Sequence, residues 1–123
     1  MSVLFKGIDH VQLAAPESCE TEARKFYGDI LGLHEISKPE NLKASGGCWF
    51  QFGAQEIHIG VQSDFLPATK AHPGLLVEGL ETYRNSLVEK GIQVKEDTPI
   101  NGRSRFFVSD PFGNRIEFLE YHE

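Results

Sequence analysis

The chain repeats one pattern of apolar and polar residues twice, and this internal repeat constrains its fold more than any other feature. Each copy opens at a histidine, His10 or His72, continues through a stretch of helical spacing and ends in short alternating segments typical of strands. The glycines that end the two helical stretches, Gly32 and Gly91, lie 22 and 19 residues beyond these histidines. Such a repeat indicates one structural unit built twice.

Each copy predicts a βαβββ module. The first module covers about residues 7–61 and the second about residues 72–121, and the second opens with a strand over residues 72–77. Ser18 is predicted to be the N-cap of the first helix, because its hydroxyl can accept a hydrogen bond from a free backbone amide. After the second helix, a further strand is expected over residues 93–97.

The expected fold class is α+β. Two tandem modules would form a curved mixed sheet around a concave trough, with the helices on the convex side, in a single domain over residues 1–123. A chain of 123 residues can bury enough surface for one such domain, whereas two independent halves would each be too small. A concave trough is a common place for a ligand to bind.

Composition excludes several classes of partner. The net charge is −6, from 12 Lys and Arg against 18 Asp and Glu, so no basic field attracts nucleic acid or an anionic membrane. The sequence shows no signal-peptide pattern and no apolar stretch of membrane-spanning length. Cys19 and Cys48 lack metal-binding spacing and favour a reducing compartment. We therefore expect a cytoplasmic protein whose partner is a small molecule.

A carboxylate stands at an unexpected place in the segment DPFGNRIEFLE, residues 110–120. The first five letters are typical of a turn, and the rest alternate as a strand. On that strand Glu117 shares a face with Leu119 and Tyr121, so its charge lies among apolar side chains. Because burial of an unpaired carboxylate is costly, we expect a neighbouring group to hold it ionised.

Three histidines take equivalent places in the repeat. His10, His58 and His72, like Glu117, lie off the aliphatic faces of their predicted strands. Two imidazoles and a carboxylate with open positions suit a divalent first-row metal that also binds substrate or water, and a third imidazole would complete four protein ligands. Glu56 shares a face with His58 and is an alternative to it.

Each of these residues also has an ordinary structural interpretation. A single histidine in a strand is often a hydrogen-bonded structural group, and Glu117 has Arg105 and Arg115 as possible ionic partners. If the site is catalytic, the general base is expected among Glu117, His58 and Glu56. Glu56, at the start of a strand, is otherwise a solvated residue.

Further side chains are expected to line the trough and select the substrate. These are Gln12, Trp49, Phe107, Arg105, Leu119 and Tyr121. Strand parity leaves open whether Trp49 or Phe50, and whether Phe107 or Phe106, points inward. Arg103 and Lys70 are additional cationic candidates for holding an anionic group.

Three segments resemble the vicinal oxygen chelate superfamily: IDHVQLAAP with His10, AHPGLLVEGLE with His72, and DPFGNRIEFLE with Glu117. The resemblance implies paired βαβββ modules around one metal ion per site, drawn from iron, manganese, nickel, cobalt and zinc. It matches His10, His72 and Glu117 to ligand positions and gives His58 the remaining one. Because members such as glyoxalase I are dimers, some with sites completed across the subunit boundary, it also implies a homodimer.

The resemblance makes a small metal-dependent lyase or isomerase the leading functional hypothesis. Such an enzyme would chelate neighbouring oxygens of a small substrate and stabilise an enediolate or alkoxide. One alternative is a thiol-transferase type of antibiotic-resistance enzyme with the same ligands. Another is a metal-free drug- or ligand-binding protein of the bleomycin-resistance type, which the acidic charge favours and the retained His10, His72 and Glu117 disfavour.

Overall fold

The internal repeat is present in the three-dimensional structure as two units of mixed α+β architecture. The structure, a computed structural model, describes residues 2–123. The first unit ends at Asp64 and the second unit is Phe65–Glu123, so the division falls between the two predicted modules. The predicted α+β class is confirmed, because two mixed sheets and few helices account for the regular structure.

The first unit contains a four-stranded sheet and three helical segments. Its elements in chain order are β1 (His10–Ala15), α1 (Glu20–Ala23), a π-helix (Arg24–Ile30), β2 (His34–Ile36), a 3₁₀ helix (Glu40–Ser45), β3 (Cys48–Phe52) and β4 (Gln55–Val61). The strand order is β1-β4-β3-β2, with β1 parallel to β4 and the other pairs antiparallel. Tyr27 from the π-helix and Phe50 from β3 are fully buried, with ring centroids 5.6 Å apart.

The first helix starts differently from the prediction. Ser18 is not its N-cap: it has a φ of 63°, in the left-handed region, whereas a capping residue usually has extended backbone. Cys19 takes the N-cap position and makes no side-chain capping bond. The predicted stop at Gly32 is confirmed, since this residue has a φ of +85° and its amide donates to Gly28 over 3.1 Å.

The second unit contains a three-stranded sheet and one helix. Its elements are β5 (Gly74–Leu76), α2 (Leu80–Glu89), β6 (Arg103–Ser109) and β7 (Arg115–Tyr121). The strand order is β5-β7-β6, with β5 parallel to β7 and β6 antiparallel to it. Phe106 and Phe118 form the centre of its core with ring centroids 5.4 Å apart. No helix in residues 2–123 has the length and apolar character needed to cross a membrane.

Two strand predictions in the second unit are corrected. Residues 93–97 form no strand, and Lys95 makes only an isolated bridge to Phe107 through two hydrogen bonds of 2.8 Å. The exposed residues Lys95, Glu96 and Asp97 give this segment too little apolar surface to hold a strand on the sheet. The opening strand begins at Gly74 instead of residue 72, so His72 lies in the preceding loop. Pro73, which has no backbone N–H, separates the histidine from the strand.

The ends of α2 are satisfied by local and tertiary hydrogen bonds. At its C-terminus, the amides of Gly91 and Ile92 donate to Val88 and Leu87 over 3.0 Å each, which is the Schellman arrangement and confirms the predicted stop at Gly91. At its N-terminus, the carboxylate of Glu120 on β7 accepts from the amides of Gly79 and Leu80, each over 3.1 Å. These two bonds lower the pKa of Glu120.

Gly47 and Gly32 provide a matched test of how tightly the first unit is packed. Both have left-handed φ values, +82° and +85°, but a Cβ at Gly47 would overlap the carbonyl oxygen of Ile59, whereas Gly32 has no atom within 4 Å of that position. We expect Gly32→Ala to lower the free energy of unfolding by about 1–2 kcal/mol through backbone strain alone. Gly47→Ala should cost more, roughly 3 kcal/mol or above, since the β3–β4 pairing must also shift. Urea unfolding followed by circular dichroism measures both, and equal losses would contradict the packing described.

The Glu120 cap predicts a pH-dependent contribution to stability. Because its folded pKa is lowered, the carboxylate stabilises the fold above the pKa of the unfolded chain, and the contribution disappears as the pH falls through the folded pKa. Glu120→Gln should therefore lower the melting temperature at neutral pH and approach wild type in acid. Glu89→Gln, an exposed change within α2, is the control. A Glu120→Gln deficit that persists in acid would show that the charge is not the cause.

Candidate functional site

A turn whose end residues, Asp110 and Asn114, are buried sets the position of Glu117. The side chain of Asp110 accepts hydrogen bonds from the amides of Phe112 and Asn114 over 2.9 and 2.8 Å, and from the Asn114 side chain over 2.9 Å. Gly113 completes the turn with a φ of +95°. These bonds lead the chain from β6 into β7, where Glu117 pairs with Gly74 on one side and Phe107 on the other. The DPFGN pattern thus fixes the start of the strand that carries the carboxylate.

Glu117 is buried and has two cationic or potentially cationic partners. Its Oε1 lies 3.0 Å from Nε2 of His72, and its Oε2 lies 3.6 Å from Nη1 of Arg105. Of the two arginines considered as ionic partners, Arg105 faces the carboxylate, whereas Arg115 donates to the carbonyl oxygen of Lys70. The neighbouring groups expected to hold the Glu117 carboxylate ionised are therefore His72 and Arg105.

Loop contacts orient the His72 ring. Its Nδ1 donates to the carbonyl oxygen of Lys70 over 3.0 Å, while Nε2 faces Glu117. The ring packs edge-on against Phe107, with centroids 4.8 Å apart. Phe107 is thus the inward member of its pair, because register places it opposite Glu117, and Phe106 packs with Phe118 on the other face.

The other pocket candidates of the second unit differ in their exposure. Arg105 donates from Nη2 to the carbonyl oxygen of Thr98 over 2.7 Å, in addition to its contact with Glu117. Leu119 is buried opposite Arg105 in the strand pairing. Tyr121 is 56% exposed, and the guanidinium of Arg103 lies 4.8 Å from its ring centre. Leu119 and Arg105 therefore adjoin Glu117 more closely than Tyr121 does in the strand register.

In the first unit, His58 is the middle ring of a stack of three aromatic side chains. His58 is buried, with Trp49 on one side at a centroid distance of 3.8 Å and His10 on the other at 4.1 Å, all nearly parallel. Its Nε2 lies 2.8 Å from Oε1 of Glu56. Register places Trp49 opposite His58, so Trp49 is the member that shares its face, and Phe50 belongs to the core.

Gln12 extends this group along β1. Its backbone pairs with that of His58. Its side-chain amide occupies the space above Gly60, where an added Cβ would be 2.6 Å from Gln12 Nε2. His10 is further fixed by Asp9, whose Oδ2 lies 2.9 Å from His10 Nδ1. The missing side chain at Gly60 leaves room for the Gln12 amide on the face that carries the imidazoles.

With the exception of Tyr121, the predicted site residues therefore form two clusters, one in each unit. The His58 cluster consists of His10, Gln12, Trp49, Glu56 and His58, and the Glu117 cluster consists of Lys70, His72, Arg105, Phe107, Arg115, Glu117 and Leu119. Within residues 2–123, no three or more His, Cys, Asp or Glu side chains form a group that could hold a metal ion. The assembly of all four predicted ligands around one ion remains a prediction.

The donor pair of His72 and Glu117 fits a divalent metal in chemistry and spacing. With metal–ligand bonds of about 2.1 Å, two ligand atoms at a right angle are roughly 3.0 Å apart. Nε2 of His72 and Oε1 of Glu117 are 3.0 Å apart, the spacing of two adjacent ligands as well as of a hydrogen bond. Imidazole and carboxylate are donors that first-row metals accept.

Sequence reasoning missed two contributors to these clusters. Arg115 was considered only as a partner for Glu117, yet it binds the same carbonyl oxygen as His72, that of Lys70. The period of the strand contained this signal, because Arg115 and Glu117 are two residues apart and share a face. Asp9, the partner of His10, gave no comparable signal beyond its proximity in the chain.

Comparison with known proteins identifies the relatives of this architecture. The family model described as Glyoxalase/Bleomycin resistance protein/Dioxygenase superfamily matches residues 7–118. A solved structure from Bacillus anthracis, assigned to the glyoxalase family, is 53% identical, covers 99% of this chain and 100% of its own, and superposes with a TM-score of 0.96. No curated protein matches the chain.

Two more distant structures share the fold. Lactoylglutathione lyase from Agrobacterium tumefaciens is 20% identical over 93% of this chain and 92% of its own, with a TM-score of 0.73. A glyoxalase/dioxygenase from Nostoc punctiforme is 23% identical over 100% and 99%, with a TM-score of 0.77. At these identities the likeness concerns the fold alone.

Proposed function

Because the chain belongs to the Glyoxalase/Bleomycin resistance protein/Dioxygenase superfamily, we propose that it is a small metal-dependent enzyme, a lyase or isomerase of the glyoxalase type. The observation that carries this proposal is the pairing of His72 and the buried Glu117, whose donor atoms are 3.0 Å apart. Its substrate would be a small molecule with two neighbouring oxygens.

His10, His58, His72 and Glu117 are the proposed ligands of one divalent first-row metal ion, which is iron, manganese, nickel, cobalt or zinc. The bound metal would supply Lewis-acid chemistry, polarising a substrate carbonyl and stabilising negative charge on adjacent oxygens. The Glu117 side chain is 11% exposed and held by His72 and Arg105, which suits a fixed ligand. These imidazole and carboxylate donors suit a metal ion that also binds oxygen atoms of a substrate.

Glu56 is the proposed general base. Its side chain is 29% exposed, and its Oε1 is held 2.8 Å from Nε2 of the buried His58. The carboxylate is thus oriented by one partner while remaining accessible to a substrate, as a base that removes a proton must be. Glu117 is the second candidate for this role, but its two partners and lower exposure favour the ligand role.

The remaining polar and aromatic groups are proposed to orient the substrate. Trp49 and Phe107 provide apolar faces beside the two histidine-containing clusters. Gln12 and Arg105 supply donors for substrate oxygens, and Leu119 and Tyr121 complete the proposed contacts on β7. The buried thiols are excluded as nucleophiles at neutral pH, because burial raises the pKa of Cys48 to about 12 and also raises the pKa of Cys19.

One observation favours a second candidate function, a metal-free ligand-binding protein of the bleomycin-resistance type. The net charge of −6 would attract a cationic ligand. In that case the buried carboxylate of Glu117 would need no metal, because His72 and Arg105 already face it. Metal content decides between the two functions.

We also propose that the protein is a cytoplasmic homodimer. Its two cysteines are free and buried, which suits a reducing compartment. Ahead of β1, four apolar side chains are between 63% and 95% exposed: Val3, Leu4, Phe5 and Ile8. This N-terminal arm, residues 3–8, leads into β1, which is the edge strand in the order β1-β4-β3-β2 of its sheet.

A second copy of the chain is the partner that suits this arm. Two identical apolar arms related by a twofold axis can cover each other, because a twofold interface brings the same patch of both copies together. At roughly 150 Å² for each large apolar side chain, burial of two arms would remove about 1,000 Å² from water, near the lower limit for a specific interface.

The metal proposal predicts one ion per chain that depends on Glu117. Untagged protein, prepared without chelators and loaded in turn with iron, manganese, nickel, cobalt and zinc, is dialysed and analysed for metal. We expect about one equivalent of one metal, lost in Glu117→Gln and retained in Glu56→Gln, because a base is dispensable for binding and a ligand is not. Circular dichroism confirms that each variant is folded.

Other results would change the assignment. If Glu117→Gln retained the metal and Glu56→Gln lost it, the ligand would be Glu56 and not Glu117. Absence of all five metals from wild-type protein would refute the enzyme proposal and leave the ligand-binding alternative. Emission from Trp49, the sole tryptophan, gives an independent readout because its ring stacks on His58.

The dimer proposal predicts that polar substitutions in the arm weaken self-association. Sedimentation velocity of the double variant Leu4→Ser, Phe5→Ser should show monomers at concentrations where wild type is dimeric, because the interface loses its largest apolar groups. Leu66→Ser, Leu76→Ser is the control, since these leucines are comparably exposed but lie outside the arm. A dimeric arm variant would place the interface elsewhere, and a monomeric wild type would refute the dimer.

A further inference from the structure

We propose that Arg115 is a positioning residue for His72, acting through the backbone carbonyl group of Lys70. This inference rests on the proposed role of His72 as a metal ligand. The carbonyl oxygen of Lys70 accepts two hydrogen bonds of 3.0 Å, one from Nδ1 of His72 and one from Nη1 of Arg115. One oxygen atom therefore links the guanidinium on β7 to the imidazole in the loop.

Arg115 is itself held on two further sides. Its guanidinium carbon lies 4.5 Å from the ring centre of Phe107, and Nη2 lies 3.9 Å from Oδ2 of Asp97. The aromatic face and the carboxylate limit the arrangements open to the guanidinium. Arg115 can therefore act as a fixed point to which the carbonyl group of Lys70 is attached.

The loop that carries His72 needs such an attachment. His72 lies outside β5, so no ladder hydrogen bond of that strand fixes it. Instead, β7 holds the loop at two carbonyl oxygens that flank the histidine. Lys70 is bound by the Arg115 side chain, and Pro73 is bound by the amide of Glu117 over 3.0 Å. The strand that supplies Glu117 thus also determines where the His72 ring is placed.

The carbonyl group further favours one ring nitrogen as the metal ligand. Both ring nitrogens of His72 face an acceptor, the carbonyl oxygen of Lys70 at Nδ1 and Oε1 of Glu117 at Nε2. A metal bound between Nε2 and Oε1 would take the place of a hydrogen there, while Nδ1 would keep its hydrogen on the carbonyl oxygen of Lys70. Outer hydrogen bonds of this kind fix both the tautomer and the ring orientation of a ligand.

Removal of the Arg115 donors should weaken both the orientation and the metal affinity. Arg115→Met keeps an unbranched apolar chain against Phe107 but cannot bind the Lys70 carbonyl group. We expect its zinc affinity, measured by competition with a chromophoric chelator, to fall about 10-fold. This is the low end of the effect of losing an outer-shell partner, because the Lys70 carbonyl group stays and loses only its anchor. Arg115→Lys, which retains a donor, should recover part of the loss.

Arg103→Met is the matched control. Arg103 also lies over an aromatic ring in the same unit, at 4.8 Å from the centre of Tyr121, but makes no described hydrogen bond to the His72 loop. Its replacement removes the same charge and the same kind of stacking contact. Zinc affinity should therefore stay close to wild type, which separates the hydrogen bond from the change in net charge.

A second measurement tests the inference in protein without metal. Nitrogen-15 NMR of the histidine side chains, at mildly alkaline pH where free imidazole is neutral, reports which ring nitrogen carries the hydrogen. Nδ1 of His72 should carry a hydrogen in wild type and Arg103→Met. In Arg115→Met this hydrogen should shift towards Nε2, because the carbonyl group of Lys70 loses its anchor while Glu117 remains as the competing acceptor at Nε2. Arg115→Gln replaces the methionine variant if the latter does not fold.

The outcomes separate this inference from the proposed function. A wild-type chain that binds no zinc or other metal refutes the metal site, while the NMR result still decides whether Arg115 sets the ring. An unchanged tautomer in a folded Arg115 variant overturns the positioning role, whether or not zinc affinity falls. A shifted tautomer with zinc affinity equal to wild type also overturns it, since positioning would then have no effect on the site.

Discussion

The parallel pairing of the first and last strands in each module is the interaction on which both clusters depend. In the first unit, β1 lies beside β4 and aligns Gln12 with His58 and His10 with Glu56. In the second unit, β5 lies beside β7 and aligns Gly74 with Glu117, while Pro73 accepts the Glu117 amide. Residues separated by more than 40 positions in the chain meet only because these pairings close each module.

The two clusters handle buried polar groups in different ways. In the His58 cluster, aromatic stacking covers the imidazole on both faces and leaves its edge to Glu56. In the Glu117 cluster, the carboxylate meets His72 and Arg105 at its two oxygens. Both solutions follow from the cost of removing a polar group from water without a partner. A charge placed on an apolar strand face is therefore evidence of a partner on a neighbouring element.

Much of the fold could be predicted because its signals are local. The spacing of apolar residues and the glycines Gly32 and Gly91 indicated the two helices, and the DPFGN turn indicated the start of β7 at Arg115. The predictions of an N-cap at Ser18 and of a strand over residues 93–97 were wrong, because tertiary structure overrode the local signal. Ser18 has the chemistry of an N-cap but a left-handed backbone, and residues 93–97 alternate like a strand but have too little apolar surface to pair over their length.

The sequence alone determined the repeat and the α+β class, and it proposed the candidate metal ligands, since these depend on composition and on spacing along one element. Only the tertiary structure decided which of two neighbouring aromatic residues shares a face with a histidine, because register between strands fixes that choice. It also decided that Arg105 faces Glu117 while Arg115 reaches the carbonyl group of Lys70. A long side chain can reach several acceptors, and the one it binds depends on where the loops and the neighbouring strands bring those acceptors in space.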